Sequence, residues 1–367
     1  MRVIYKPNKI DTDEPGAAEK SRERLAGQTF DLPALKKVLE SYNKTINNPI
    51  EIDTSHPFVV TGQQLGLMGG PLYTVLKGIS CLQAAKEHGA TPLFWLATED
   101  HDIGEIDHTY LLDEMGNLEK YKIPLPKRGL FVEDLQISAN GQKVIDRFLE
   151  KTGGELQRYD SYSRQMACWM SKLFAGTGMV FLEPWILRSM AAPFFQKELR
   201  EGQAGRLFYK DETGRRKKIS TVDQKILDLP PTRLSTGVLA RAVLQSVLIP
   251  TLAYIAGPAE LSYWKDLGEY HRFHGAAMPW LVPRISATLI PGFAEEMLQR
   301  VGKNPWDEIV LDESSKEGHT LRNLLYPRQK LQERVLNFSY FQTTVETLSS
   351  ALDWKSRGHA YCFLGQR

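Results

Sequence analysis

Two short apolar runs, PFVVTG ending at Gly62 and PLFWLAT ending at Thr98, flank a segment that changes character abruptly from glycine-rich to helical. Each run is a continuous stretch of β-branched, aromatic or aliphatic residues stopped by a small or polar one, the pattern of a strand buried on both faces. Between them, Pro71 follows the Gly69-Gly70 pair and occupies the first turn of a helix, where its missing N–H costs nothing. Leu72, Leu76, Ile79, Leu82 and Ala85 then recur at helical spacing, and Gly89 stands where a C-terminal cap is expected. Strand, helix and strand in so few residues make a βαβ unit. That unit commits the chain to a parallel sheet with a right-handed crossover.

The later sequence supports an α/β class. PTLAYIAG and MPWLVPRI read as two further strands with a helix between them at Glu260 to Phe273. The expected organisation is a polar, helical 1–50, with a helix over Leu32 to Asn43, followed by a Rossmann-like core over 51–300 interrupted by an insertion at about 109–230. A helical segment over 301–367 completes it. Within the insertion, helices are expected near Arg164 to Phe174 and Leu187 to Arg200, separated by the strand MVFLEP. RLFYKDETGRRKKIS reads as a hairpin whose basic run, Arg215 to Lys218, is a solvated turn.

Charge removes several function classes. Lys and Arg number 46 against 44 Asp and Glu, so no global field draws the chain to nucleic acid or to a membrane surface. No window approaches the roughly 20 apolar residues of a membrane span. The three cysteines, Cys81, Cys168 and Cys362, form no CxxC, which suits a reducing cytoplasm and gives no zinc-ligand spacing.

Ligands of a parallel sheet bind outside the carboxyl ends of its strands. Four such ends carry chemistry here. Gly69 and Gly70 leave the backbone bare before a helix start, although the segment is neither a Walker A loop nor GxGxxG. TEDHDIGEIDH places Glu99, Asp100, His101, Asp102, Glu105, Asp107 and His108 after the second run. Like charges in such a cluster raise one another's pKa unless each is solvated, paired or used. His101 suits acid–base work or phosphate binding, a His–carboxylate metal site is an alternative, and so is a helix start decorated with acids. YIAGPAELSYW supplies Gly257, Pro258, Glu260 and Tyr263. VPRISATLI supplies Arg284, Ser286 and Thr288, an arginine and two hydroxyls suited to an anion. These residues point to an α/β enzyme that handles a phosphate or carboxylate ligand.

VVTGQQLGLMGGPLYTVLKG, PLFWLATEDHDIGEIDH, YIAGPAELSYW, VPRISATLI and LQERVLN, in this order, resemble the cysteine-adding enzymes of bacillithiol biosynthesis, the BshC family. The resemblance implies a class I nucleotidyltransferase-like core with connecting-peptide insertions. It also implies a ligase that joins L-cysteine to glucosaminyl-malate, with ATP activation of the cysteine carboxylate by analogy with relatives that adenylate an amino acid. Carried over by position, Thr61, Gly62, Gln63, Gln64, Gly69, Gly70 and Tyr73 take the place of a nucleotide-binding signature. Asp100, His101 and Asp102 face the reacting carboxylate, Gly257, Pro258, Glu260 and Tyr263 line the pocket, and Arg284 and Ser286 stand where relatives keep a phosphate-binding loop. Only 40 residues separate Ile290 from Leu331, where the family has a long helical arm, so its coiled-coil dimer interface is expected to be absent. LARA and QS replace the family's usual LLRP and QD. A relative that binds without turnover and a metal-dependent hydrolase using His101 and His108 are the two rival readings. No zinc is expected.

Overall fold

The computed structural model describes residues 2–7, 16–100, 102–112, 118–126, 129–201, 204–300, 349–350, 352 and 358–364. Five strands form the central sheet: Phe58–Gln63, Thr91–Leu96, Val180–Leu182, Thr251–Ala256 and Trp280–Pro283. All neighbouring pairs are parallel. Numbered in chain order, they lie 3-2-1-4-5 across the sheet, the doubly wound order of a dinucleotide-binding fold. The order reverses between the first and fourth strands, so their carboxyl ends, at Gln63 and Ala256, diverge into a crevice.

The apolar runs have a simple cause: successive side chains point to opposite faces, and both faces are covered. Val59, Phe94, Phe181 and Ile255 pack into one buried cluster with Val75, Leu76 and Ile79 of the helix Leu72–Glu87. Phe58, Val60, Trp95, Leu182 and Tyr254 pack into the other with Leu35, Leu39, Phe194, Phe195 and Val243. The helix Leu32–Thr45 is capped by Asp31, which accepts from Ala34 N, and carries proline in its first turn.

The third strand corrects the expected boundary of the insertion. MVFLEP is not part of it: Val180–Leu182 is an edge of the core sheet, paired with Leu93–Trp95. The inserted material therefore divides in two. One part holds the antiparallel pair His108–Leu112 and Leu118–Lys122 with the helices Ala139–Thr152 and Tyr162–Leu173. The other holds the helix Ala192–Arg200 and a three-stranded sheet in which Leu207–Lys210 pairs with both Arg216–Lys218 and Leu234–Thr236. The expected helix over Glu260 to Phe273 is broken into Pro258–Trp264, a 3-10 turn Lys265–Leu267, and Gly268–Phe273. Residues 301–348, where the helical arm and LQERVLN fall, lie outside the described residues. The expectation of helix does not hold at Gly358–Leu364, a strand that lies between Arg2–Pro7, antiparallel, and Ser286–Pro291, parallel.

Glycine at 78 sets how closely the first crossover helix can approach its neighbour. A Cβ there would lie 2.3 Å from Phe174 Cζ, inside a core where Phe174 is buried. Gly78→Ala therefore forces a ring displacement that costs about 1–3 kcal/mol, more than the gain in helix propensity of up to about 1 kcal/mol. Thermal denaturation should show a lower Tm for Gly78→Ala and partial recovery in Gly78→Ala/Phe174→Leu. An unchanged Tm in the single variant would contradict this packing.

Candidate functional site

A cavity of about 830 Å³ opens at the switch point. Its floor is Gly62, Gln63 and Gln64 from the first strand end and Gly257, Pro258 and Glu260 from the fourth. Trp95, Ala97, Glu99 and Asp100 close one side. Arg206, Phe208, Arg216 and Lys218 of the inserted sheet, with Thr236 to Arg241 at the start of the helix Val238–Leu248, close the other.

A buried ion pair joins the two strand ends. Lys77, on the crossover helix and only 4% exposed in its side chain, reaches Glu260 Oε2 at 2.5 Å. Its Nζ also donates to Gly62 O at 2.8 Å and to Gln63 Oε1 at 3.0 Å. Glu260 accepts from Gly257 N at 2.8 Å and from Tyr254 Oη at 2.8 Å, so the carboxylate also holds the first turn of its own helix. Burial alone would raise the Glu260 pKa, but Lys77, the Gly257 amide and Arg241 hold it below the usual carboxylate value. Burial pushes Lys77 below the usual ammonium value against the pull of Glu260, and the nearby Arg241 and Arg284 push it the same way. Arg241 shares its charge with Tyr254 and Tyr263, at 3.4 Å from each hydroxyl. Its Nη1, and the Nε of Arg284, are buried donors without a partner among the described residues. Arg284 lies over the ring of Tyr73 and donates to Ile285 O. Three cations thus stand around one carboxylate. The surplus positive charge faces the cavity, a setting for a bound carboxylate or phosphate.

The expected site residues divide. Gly62, Gln63, Gln64, Tyr73, Asp100, Gly257, Pro258, Glu260, Tyr263 and Arg284 meet in the cavity. Thr61 does not: it is buried, and its hydroxyl donates to Ile255 O, tying the first strand to the fourth. Gly69 and Gly70 are also remote from the large cavity. Their φ of 92° and 67° make the turn, and a Cβ on nearby Gly66 would lie 2.7 Å from Gly70 Cα, so bare backbone serves a close chain crossing. Gly70 lines only a small side chamber shared with Gln63, Gln64, Tyr73 and His108. Ser286 sits behind Arg284, which donates to its hydroxyl at 3.4 Å. Asp102 caps the short helix Ile103–Ile106 by accepting from Gly104 N. His101 lies outside the described residues.

The acidic cluster is resolved by separate partners. Glu99 Oε1 accepts from Arg188, Asp100 accepts from Gln64 at 2.6 Å, and Asp107 binds His108 and Lys122. Among the described residues no group of three His, Cys, Asp or Glu side chains is arranged to hold a metal ion. Lys77, Arg206, Arg216, Lys218 and Arg241 escaped sequence reasoning. Lys77 reads as one more position of an apolar helix, and the basic run as a solvated turn. The alternation of Arg216 and Lys218 on one strand, both on the cavity side, was the available signal.

The model of the bacillithiol biosynthesis BshC N-terminal Rossmann-like domain matches residues 9–226 and 219–285. The chain belongs to the BshC family. The BshC proteins of Geobacillus kaustophilus and Geobacillus thermodenitrificans, each named "Putative cysteine ligase BshC", are 29% and 30% identical to it over 80% and 76% of this chain. The Heliobacterium modesticaldum protein of the same name is 29% identical over 78%. The alignments cover 68%, 65% and 68% of those relatives, so the chain spans about two-thirds of their length. The matched region contains all the residues that line the crevice, from Gly62 at the first strand end to Arg284 after the fifth strand.

The Lys77–Glu260 pair predicts an acid-sensitive term in stability. With the folded pKa of Glu260 below its unfolded value, the contribution is complete above the unfolded value of about 4.3 and is lost as pH falls through the folded value. Glu260→Gln should cost roughly 3 kcal/mol at pH 7 by leaving buried Lys77 without its counter-charge. The gap to wild type should close as pH drops below about 4. A Tm difference that does not change with pH would contradict the ion pair.

Proposed function

We propose that the crevice is the active site of a cysteine ligase that joins the carboxyl group of L-cysteine to the amino group of glucosaminyl-malate. The observation that carries this reading is the coincidence of a BshC-matching chain with a cation-rimmed cavity at the sheet's switch point. Both substrates bear carboxylates. Arg241 and Arg284, each with an N–H unpartnered among the described residues, supply charge-assisted donors to such groups on either side of Glu260. Amide formation from a free carboxylate must expel oxygen as water or as an activated leaving group. ATP is the expected source of activation, and the cavity is large enough for substrates of this size. Lys218 and Arg206, at the inserted-sheet wall, suit the phosphate side of that ligand set. His101 and Asp100 are assigned as the acid–base pair at the second strand end, and Asp102 caps the helix that follows by accepting from Gly104 N. Two buried free cysteines, Cys81 and Cys168, fit a cytoplasmic setting, and no helix among the described residues is long and apolar enough to cross a membrane.

The test is mass-spectrometric thiol analysis of a bacillithiol-producing strain that lacks its own cysteine-adding enzyme and expresses this chain. Restored bacillithiol is the expected outcome. Accumulated glucosaminyl-malate with no bacillithiol, from well-expressed protein, would contradict it. With purified protein, Arg241→Ala and Arg284→Ala should each raise KM for the anionic substrate by about 10- to 100-fold, as expected for one charge-assisted hydrogen bond. Unchanged KM values would remove both arginines from binding.

A further inference from the structure

Glu99 belongs to the acidic motif that reads as catalytic, but its carboxylate is turned away from acid–base work. Oε1 accepts from Arg188 Nε at 3.2 Å and Nη2 at 3.1 Å. Oε2 accepts from Thr236 N at 3.3 Å and Thr236 Oγ1 at 3.2 Å, 137 residues away in sequence. Arg188 in turn holds Glu133 through two bonds, at 2.6 and 2.8 Å, and Glu133 binds Lys210 of the inserted sheet at 3.2 Å. The side chains of Arg188, Glu99 and Glu133 are 6%, 9% and 7% exposed, so the centre of this chain of charges is buried, and it opens toward solvent at Lys210. Lys210 also pairs with Asp134 at 2.6 Å, so three acids meet two bases, and each buried charge has a partner, the condition under which buried charges are tolerated.

What this network holds is the entrance of the helix Val238–Leu248. Its N-cap, Gly237, has no side chain with which to cap it. The strand end before it is instead fixed from three sides: Glu99 on Thr236, Arg216 Nη2 on Thr236 O at 2.9 Å, and Gly237 N donating to Arg206 O at 2.8 Å. One helical turn later the same element presents Arg241 to Gly62 and the cavity. We infer that Glu99 is a positioning residue, which places Arg241 against an anionic group of the ligand by clamping Thr236. This rests on the crevice being the ligand site, and it deepens that reading: anion affinity is set through the insertion that carries Arg188 and Lys210.

Glu99→Gln is the direct test, because a carboxamide presents one oxygen and one NH2. It can accept from Arg188 or from Thr236, but not from both. Binding of L-malate and of inorganic pyrophosphate would be measured by calorimetry for wild type, Glu99→Gln, Arg241→Ala and the double variant. The two probes separate a carboxylate subsite from a phosphate subsite. Glu99→Gln should weaken at least one probe about ten-fold, and add little once Arg241 is gone. Its effect should add in full to that of Arg284→Ala, at a different strand end. Thr236→Val, which removes the hydroxyl bond and keeps the N–H, should reproduce part of the loss, and Thr236→Ser should restore affinity, which keeps the test open if Glu99→Gln does not fold. Additive effects of Glu99→Gln and Arg241→Ala, or Thr236→Val binding as wild type, would overturn the assignment. Absence of binding of either probe to the wild-type protein would overturn it as well, whereas ligase activity is read separately.

Discussion

The buried ammonium of Lys77 joins the two strand ends on which the crevice is built. A parallel sheet whose strand order reverses must open a gap between two strand ends, and that gap exposes backbone carbonyls and helix starts. One ammonium group spans it, bonding Gly62 O, Gln63 and Glu260 at once. Burying that ammonium is costly, and the cost is met only because Glu260 is ionised beside it and itself held by Gly257 N and Tyr254. The carboxylate then tolerates Arg241 and Arg284 in the same pocket. Remove Glu260 and the three cations are left to repel one another across a low-dielectric crevice.

The inserted elements do more than decorate this core. The central sheet supplies the floor of the cavity, but most of its positive wall comes from residues 206–241. Arg188, Glu133 and Lys210 connect that wall to the second strand end through buried charge rather than apolar contact. Such a network fixes geometry at little net gain in stability. A site that must hold an anion in one orientation can use that property, since a displaced guanidinium loses most of its bidentate bonding.

Much of the scaffold was legible in the sequence because its signals are local. PFVVTG, PLFWLAT and PTLAYIAG read as strands buried on both faces, and Leu72 to Ala85 as the helix between the first two. The edge strand Val180–Leu182 was visible as a strand but not as part of the core, since its pairing with Leu93–Trp95 is a long-range fact that no periodicity encodes. The site was half legible. Glycine, glutamine and arginine at strand ends marked the floor. The glycines at 69 and 70 pointed to a ligand; in the fold they make a turn in which Gly70 passes close to Gly66, and Gly70 lines the side chamber beside Gln63 and Gln64. The acidic motif suggested one cluster, whereas folding sends Glu99 to Arg188, Asp100 to Gln64 and Asp107 to Lys122. Lys77 and Arg241 were hidden because each is an isolated cation within an apolar stretch of helix, and only the tertiary fold shows that both face the crevice.

The central claim is that substrates occupy the crevice between Gly62–Gln64 and Gly257–Glu260. A crystal structure of this protein with glucosaminyl-malate bound tests it most directly. The expected result is density for the ligand in that crevice, with a carboxylate within hydrogen-bond distance of Arg241 or Arg284 and the amino group toward Asp100. Ligand bound elsewhere, with Arg241 and Arg284 making no contact to it, would contradict the account.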